Sequence, residues 1–302
     1  RLLGPGRVMT LETHIIIIFG GLLLGGLYGL IALGLTMIFG VSKILNVAHG
    51  DFVVVGGIFG LVTSTLSGLS PFIILPLVPP LFFAAGVIFE KTMVQRVILK
   101  NTQNTLAVSI LATLAFAMVV EDLSFFGLGQ AGLNYVSLQV FLQPLNILGF
   151  IIPTTRFISL VALIILAITT RFIIQSTGYG RRLRATIQDR ELAEIVGVNV
   201  SRMSALSFGF GAALAGMSGL FLAMITSLTT FQGVQFTVIA LTVVILGGLG
   251  SFIGSLVGGL TIGIAEAYTA FYMGTNWARI VAIIIMIAVL VIRPSGIFGG
   301  RR

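Results

Sequence analysis

The sequence predicts an all-α, polytopic integral membrane protein with about eight to nine transmembrane helices. Three observations lead to this prediction. The mean hydropathy of the 302 residues is +1.14, and only 9% of them are charged, whereas a soluble domain carries roughly 25%. The apolar residues also fall into runs of about 20, the length that crosses the hydrocarbon core of a bilayer. Such a chain would aggregate in water, so lipid is its expected solvent.

The first apolar run begins at Ile15 and is too long for the apolar region of a signal peptide, so we interpret it as a retained membrane helix. Glycine clusters recur along the runs and favour close helix packing. The predicted crossings lie near residues 15–40, 52–69, 71–90, 105–126, 156–175, 205–228, 236–250, 255–273 and 279–293.

Positive charge predicts the orientation of these crossings. Lys and Arg follow the first span at Lys43, separate the third span from the fourth, fill the segment 176–204 and close the chain, whereas 127–155 and 229–236 contain neither residue. All four basic sites share one side if nine helices cross with the N-terminus outside and the C-terminus in the cytoplasm. Eight crossings with one re-entrant segment is the alternative.

The chain divides into a polar N-terminal segment (1–14), a single transmembrane domain (15–295) and a C-terminal tail (296–302). The net charge of +8 is attributed to the basic loops and not to a nucleic-acid partner. The absence of cysteine excludes disulfides and cysteine metal sites. Two histidines are too few for a histidine-rich metal site, so we expect no metal.

Two segments interrupt the apolar pattern in different halves of the chain. One is Gly247–Gly254, which has four glycines, and the other is Leu45–Asp51. Irregular backbone at membrane depth is tolerated only where it is buried or faces water. Paired breaks of this kind indicate a transporter built from repeats, although tight helix packing also explains the glycines. The path candidates in the later break are Gly247, Gly248, Gly250 and Ser251.

The earlier break concentrates polar groups, and Asn46, His49, Gly50 and Asp51 are the candidates for the translocation path or its gate. The His49 imidazole is able to titrate near neutral pH, and Asp51 is placed to hold one of its tautomers. Two simpler interpretations stay open. Asn46 or Asp51 would cap the second span while Gly50 makes the turn, or the segment is a polar surface loop.

Two further acidic sites stand in apolar surroundings. Glu266 lies alone inside a predicted span, which makes it a candidate for the path, or else a hydrogen-bonding link between two helices. Glu121 and Asp122 are predicted near the outer end of the fourth span, either as a solvated helix end or as a site for a cation or an external protein.

The segment 176–204 holds eight of the 26 charged residues. Leu192, Ile195 and Val196 recur at helical spacing after Asp189, and Gly197 is predicted to end this helix. A short helix followed by a turn suits a groove on a soluble partner. An amphipathic helix lying on anionic lipid explains the pattern equally well.

Catalytic motifs are absent from the sequence. It contains no Gly-x-Ser-x-Gly elbow, no metalloprotease motif and no Walker A phosphate loop. We therefore expect no enzyme and no cofactor in this chain, and any ATP-driven step would belong to another subunit.

Several of these motifs together resemble the LivH-type permeases, the membrane subunits of ABC importers for branched-chain amino acids. The resemblance covers roughly residues 15–295. The motifs occur in the family's order, at Asn46–Asp51, Gly180–Asp189, Ala193–Asn199, and Leu246–Ser251 with Gly263–Ala267. The acidic residue after His-Gly, often Glu in the family, is Asp51 here.

The resemblance implies a multi-pass protein of a prokaryotic cell membrane that moves branched-chain or other hydrophobic amino acids, with urea and short amides as alternatives. It implies a LivM-like permease partner, two cytoplasmic LivG/LivF-like ATPase subunits that bind ATP and Mg, and an external substrate-binding protein. It also implies that the segment 176–204 couples the permease to the ATPases. The coupling residues would be Arg184, Asp189, Arg190, Glu191, Ala193, Glu194 and Gly197.

Two other functions remain as alternatives. A stand-alone secondary transporter would usually show more intramembrane charges than Glu266 alone. A permease of the related sugar importers should carry more Asn, Gln, Trp and Asp inside the membrane, whereas this chain has one Trp.

Overall fold

The computed structural model describes residues 11–98, 104–130, 135–138, 140, 143–147, 150–293 and 295–299. Within these residues nine helices are long and apolar enough to cross a membrane. The predicted all-α polytopic fold is therefore confirmed, and each observed span overlaps one predicted crossing. The spans are 13–42, 49–67, 71–96, 105–130, 154–176, 200–225, 230–247, 252–273 and 275–292.

The described chain forms twelve α-helices and one pair of short strands. The helices are α1 (Leu11–Ser42), α2 (His49–Ser67), α3 (Pro71–Ile74), α4 (Val78–Phe89), α5 (Thr105–Gln130), α6 (Thr154–Ser176), α7 (Gly178–Gln188), α8 (Arg190–Ile195), α9 (Val200–Ile225), α10 (Gly233–Gly247), α11 (Phe252–Met273) and α12 (Thr275–Ile292). Strands β1 (Leu145–Ile147) and β2 (Phe150–Ile152) form an antiparallel hairpin, which the sequence patterns did not predict.

The third span is built from several pieces. Between α3 and α4 lies a 3-10 turn, Leu75–Leu77, and α4 continues into the π-helical segment Glu90–Ile98. Prolines stand in the first turn of α3, of the 3-10 turn and of α4, where their missing N–H groups leave no helical bond unmade. A second 3-10 turn, Thr230–Gln232, leads into α10.

Helix α9 is the centre of the core. It is the most buried of the nine described spans. Its Phe208 and Phe221 side chains are almost completely buried by the surrounding helices. Helices α1 and α11 pack with their backbones in contact, since a Cβ atom at Gly25 would lie 2.7 Å from the Gly259 carbonyl oxygen. Close packing through glycine is therefore confirmed for this pair.

The basic loops gather at one end of the molecule, named here the basic end. Lys43 follows α1 directly, and Gln95 beside Arg96 donates a hydrogen bond to Ser201 Oγ at 2.8 Å. The residues after Arg293 return to the same end, where Ile297 N–H donates to the Leu246 carbonyl at 2.9 Å. The predicted grouping of these basic sites at one end is confirmed for the described residues, since Ser42 and Ile44, on either side of Lys43, line a small cavity together with Gln95, Arg190 and Ser201.

The segment 176–204 contains more helix than its pattern predicted. Its first part forms α7, which Thr177 caps by accepting from Gly180 N–H at 3.1 Å, and only its second part forms the expected short helix, α8. The next span begins at Val200, earlier than predicted, because the Asn199 side chain accepts from Arg202 N–H at 2.9 Å.

Candidate functional site

The N-terminal turns of α2 and α10 meet inside the protein. We call this region, residues 46–51 and 233–237, the helix junction. Gly50 N–H donates to Thr237 Oγ1 at 2.8 Å, and the same hydroxyl donates to the Val47 carbonyl at 2.6 Å. Gly50 has to be a glycine here, because a Cβ atom on it would lie 1.9 Å from the Gly233 carbonyl oxygen.

The helix junction lies well inside the helix bundle, away from its basic end. His49 Nε2 donates to the Ile31 carbonyl at 2.9 Å, and a Cβ atom at Gly34 would lie 3.2 Å from His49 Cε1. Ile31 and Gly34 are two to three turns before α1 ends at Ser42. At 1.5 Å per residue this places the junction about 12–16 Å from the basic end.

The two helices run in opposite directions from the junction. Helix α2 packs along the C-terminal half of α9, where its Gly56 contacts the backbone of Gly216. Helix α10 ends at Gly247, which contacts Gly254 at the start of α11, at the basic end. Both helices therefore point their N-terminal N–H groups, the positive ends of their dipoles, at one region of the membrane interior.

Two of the expectations for the earlier break are wrong. The residue before α2 is Ala48, and no side chain caps this helix. The segment is not a surface loop either, because Asn46 and His49 are fully buried and Asp51 is 2% exposed. The break is instead attached to neighbouring helices, with Val47 N–H donating to Thr113 Oγ1 of α5 at 3.0 Å.

The expected contact between His49 and Asp51 is also absent from the described residues. The Ile31 carbonyl holds the Nε2–H group of His49, and His49 Nδ1 has no described partner. Both carboxylate oxygens of Asp51 and both side-chain polar atoms of Asn46 likewise have none. These buried polar groups are available for a ligand or a partner group to satisfy.

The Asp51 carboxylate packs against the start of α10 and is not exposed to the apolar cavity beside it. A Cβ atom on Gly233 would lie 1.7 Å from Asp51 Oδ1 and 3.2 Å from Glu121 Oε1, so both carboxyl groups converge on the start of α10. Glu121 of α5 therefore lies against the helix junction, and its prediction as a helix end was wrong because α5 continues to Gln130. The adjoining cavity, between α2, α4 and α5, has a volume of about 270 Å³.

Glu266 lies elsewhere, toward the end opposite the basic end. Tyr28 Oη donates to Glu266 Oε2 at 3.0 Å and so links α1 to α11, as one interpretation of the sequence expected. Glu266 Oε1 has no described partner, although the side chain is only 7% exposed. It lines a cavity of about 540 Å³ that Arg156 and Arg279 also line.

The later break, predicted at Gly247–Gly254, occupies residues 248–251 in the structure and lies at the basic end, away from the helix junction. Helix α10 ends at Gly247, and Ser251 caps α11 by accepting from Gly254 N–H at 3.1 Å. Gly250 and Ser251 line a cavity of about 310 Å³ together with Arg184 of α7. The two predicted breaks are thus separate, and the later one adjoins the segment 176–204.

Helix α8 presents an apolar surface to its surroundings. Leu192, Ile195 and Val196 are 60%, 79% and 75% exposed. Asp189 caps the helix by accepting from Leu192 N–H at 3.0 Å. The helix ends as predicted at Gly197, whose φ of +84° lies in the left-handed region.

The remaining candidates around α8 differ in their exposure. Ala193 is buried against the bundle, whereas Arg190, Glu191 and Glu194 are exposed, and Arg190 pairs with Glu194 at 3.7 Å. The Arg184 side chain points toward the end of α6, where it donates hydrogen bonds to the backbone carbonyls of Ile174 and Gln175. Arg184 is therefore directed at the bundle and away from the exposed face of α8.

Sequence reasoning missed three polar contributors to the helix junction. Thr113 and Thr237 are indistinguishable by pattern from the other threonines of apolar spans, so no local signal identified them. Glu121 gave a signal, an ionisable residue inside a long apolar helix, but the helix end was predicted at residue 126, about one turn before its observed end at Gln130.

A protein-family match and several individual relatives all describe the same kind of protein. Residues 17–290 match the family described as "Branched-chain amino acid transport system / permease component". The chain is 28% identical over 296 residues to the high-affinity branched-chain amino acid transport system permease protein LivH of Escherichia coli K12, covering 93% of this chain and 94% of that protein. It is 27% identical over 288 residues to BraD of Pseudomonas aeruginosa, a protein described in the same words, covering 92% and 94%. It is 28% identical over 310 residues to the probable LivH of Methanocaldococcus jannaschii, covering 97% and 93%.

Proposed function

The chain belongs to the family of permease components of branched-chain amino acid transport systems, and from this premise we propose that it is the membrane-spanning permease subunit of an ABC importer. Its task is to form the translocation path for branched-chain or other hydrophobic amino acids, while partner ATPase subunits drive the transport. The observation that carries the proposal is the helix junction, where α2 and α10 begin inside the bundle and run to opposite ends.

Discontinuous helices suit this role because their N-terminal N–H groups offer polar partners without placing full charges in lipid. At the helix junction two helices also begin at one depth inside the bundle, an arrangement typical of the substrate paths of transporters. Asn46, His49, Gly50 and Asp51 all belong to it. We therefore propose the helix junction as the path or its gate.

Contact with the ATPases is assigned to α8. The basic end is proposed to face the cytoplasm, with the N-terminus outside and the C-terminus inside, as positive charge favours. The exposed Leu192, Ile195 and Val196 suit a groove on each ATPase subunit. Those subunits would bind ATP and Mg, and this chain would hold no cofactor of its own.

The remaining partners follow from the same proposal. A LivM-like permease completes the path, and an external substrate-binding protein delivers the amino acid at the end opposite α8. Within the chain, Ile187 of α7 packs against Gly40 of α1 and Gly250, since a Cβ atom on these glycines would lie 3.0 Å and 3.7 Å from its side chain. A movement of α7 and α8 would therefore reach both α1, which leads into the helix junction, and the later break.

The test is a pull-down of the tagged chain from its native membrane in detergent, with ATPase activity and ATP-driven leucine uptake into liposomes assayed on the eluate. Ile195→Asp places a charge on the exposed face of α8, and we expect it to lose the ATPase subunits. Leu66→Asp, an equally exposed apolar position at the far end of α2, is the matched control and should retain them. A wild-type chain that purifies alone and moves solute without ATP would contradict the proposal and favour a stand-alone transporter.

A further inference from the structure

The cavity of about 310 Å³ at the basic end lies between three helices of the bundle. Helix α1 packs against α11 through Gly25 and against α6 through Gly26, whose Cβ atom would lie 3.6 Å from Leu163 of α6. Leu33 of α1 is buried and lines the inner side of the cavity. The end of α6 and the start of α11 form its walls, and α7 closes it at the basic end.

The cavity extends from the expected depth of the lipid headgroups into the expected depth of the acyl chains. Arg171 lies five residues before α6 ends at Ser176, which is about 7–8 Å along the helix. Leu33 lies nine residues before α1 ends at Ser42, which is about 13–14 Å. Both helices end at the basic end, so the arginine lies nearer the surface of the membrane than the leucine.

The lining of the cavity carries two cations. Arg171 and Arg184 both line it, and no Asp or Glu is among the described residues that do so. Arg171 is exposed and forms no ion pair with the described residues. Arg184 is half-buried and donates to the carbonyls of Ile174 and Gln175, which fixes its position but leaves some of its five N–H donors free. The cavity therefore favours an anion.

No acidic side chain nearby along the chain neutralises these two arginines. Asp189 follows α7 directly, but its carboxylate accepts from Leu192 N–H and caps α8. The apolar walls continue outside the cavity, where Ile168 and Phe172 of α6 are exposed, and Ile253 of α11 is exposed at its edge. An anion that fits this surroundings needs an apolar part beside its charge.

We infer that this cavity binds an anionic phospholipid, with Arg171 and Arg184 donating hydrogen bonds to its phosphate group and one acyl chain lying against Leu33 and Ile253. The planar donor fork of arginine matches the geometry of a phosphate, and basic pockets between membrane helices suit anionic headgroups. An apolar helix of a partner permease would leave both guanidinium groups without an anion. This inference goes beyond the proposed function, because lipid binding requires neither amino acid nor ATP.

The bound lipid would also contact the segment 176–204. Arg184 and Ile187 of α7 line the cavity together with Gly250 and Ser251 of the later break. A lipid in this position would hold α7 against α6 and α11.

The first test titrates the tagged full-length chain, together with the subunits that co-purify, with phosphatidylglycerol in detergent and counts bound lipids by native mass spectrometry. Phosphatidylcholine with the same acyl chains has no net charge, and we expect it to bind roughly fivefold more weakly or worse. An excess of glycerol 1-phosphate, which has the phosphate without acyl chains, should not displace the lipid. Equal binding of the two lipids, or displacement by glycerol 1-phosphate, would overturn the inference.

The second test removes the two cations separately. Arg171→Gln and Arg184→Gln should each weaken phosphatidylglycerol binding about tenfold, because a charge-assisted hydrogen bond is lost. Arg181→Gln and Arg182→Gln are the matched controls, since they remove the same charge from exposed positions of α7 outside the lining, and they should leave the affinity unchanged. Arg171→Gln breaks no ion pair with the described residues, so it keeps the inference testable if Arg184→Gln fails to fold.

The third test fills the apolar part of the cavity. Ile253→Trp places a larger side chain in the lining and should weaken phosphatidylglycerol binding, whereas Val257→Trp, on an exposed position of α11 outside the lining, should not. Unchanged binding in both Arg171→Gln and Ile253→Trp, or equal losses in Arg171→Gln and Arg181→Gln, would overturn the site. Loss of a co-purifying permease from Arg171→Gln with unchanged lipid binding would assign the cavity to a partner helix and would overturn it as well.

Discussion

Gly50 and Thr237, far apart in sequence, are joined by a hydrogen bond of 2.8 Å from the Gly50 N–H to the Thr237 hydroxyl oxygen. The same hydroxyl donates to the Val47 carbonyl at 2.6 Å. One threonine thus satisfies two backbone groups at a break in a membrane span, where water is not available to do so. This contact holds the starts of α2 and α10 in register.

Gly50→Ala is expected to open the helix junction. The added methyl group would lie 1.9 Å from the Gly233 carbonyl oxygen, so the backbones have to separate, and the folded state should lose about 1–3 kcal/mol. The measurement is the melting temperature of the detergent-solubilised protein, together with leucine uptake. Gly20→Ala is the control, because its Cβ atom meets nothing within 4 Å; equal melting temperatures for the two variants would contradict the prediction.

Thr237→Val is expected to destabilise the chain more than Thr237→Ser. Valine removes the hydroxyl and leaves the Gly50 N–H and the Val47 carbonyl unpaired, at a cost of about 1–3 kcal/mol, whereas serine retains both bonds. Thr261→Val is the matched control, since Thr261 is exposed and donates only to Val257 of its own helix. Thermal unfolding measures the difference, and similar losses for Thr237→Val and Thr261→Val would argue against the bridging role.

Gly197→Ala is expected to loosen α8. The residue has a φ of +84° and no neighbour within 4 Å, so the effect is backbone strain alone, about 1–2 kcal/mol. Hydrogen exchange of the α8 amides should become faster, and ATPase stimulation should fall with it. Gly178→Ala, at the start of α7 without a left-handed φ, serves as the control, and unchanged exchange in α8 would show that the strain is absorbed elsewhere.

Tyr28 and Glu266 are expected to be energetically coupled. A double-mutant cycle of Tyr28→Phe and Glu266→Gln should give a coupling energy of about 1–3 kcal/mol, because their 3.0 Å hydrogen bond is buried. The cycle of Tyr28→Phe with Thr261→Val, on the exposed face of α11, should be additive. Additivity in both cycles would mean that the bond between α1 and α11 does not contribute to stability.

Several elements of the fold could be predicted because membrane helices carry strong local signals. Each of the nine spans overlaps a predicted crossing, since about 20 apolar residues are needed wherever backbone groups lack water. Gly197 was predicted as the end of α8 for an equally local reason, its left-handed conformation. The β1–β2 hairpin was missed because its strands have only three residues each. Helix α7 was missed although Tyr179, Leu183 and Ile187 recur at helical spacing, because two of its first three residues are glycines, which disfavour a helix.

The sequence by itself determined that this chain is a membrane protein, where its apolar spans lie, which loops share the basic end and which polar residues are unusual. It could not determine which of those residues meet. Asp51, Glu121 and Gly233 come from three helices, and Gly247–Ser251, expected to act with the earlier break, lies at the basic end instead. Hydrophobicity is a property of each residue and is readable locally. The meeting of two helix ends depends on how whole helices pack, and only the tertiary structure decides it.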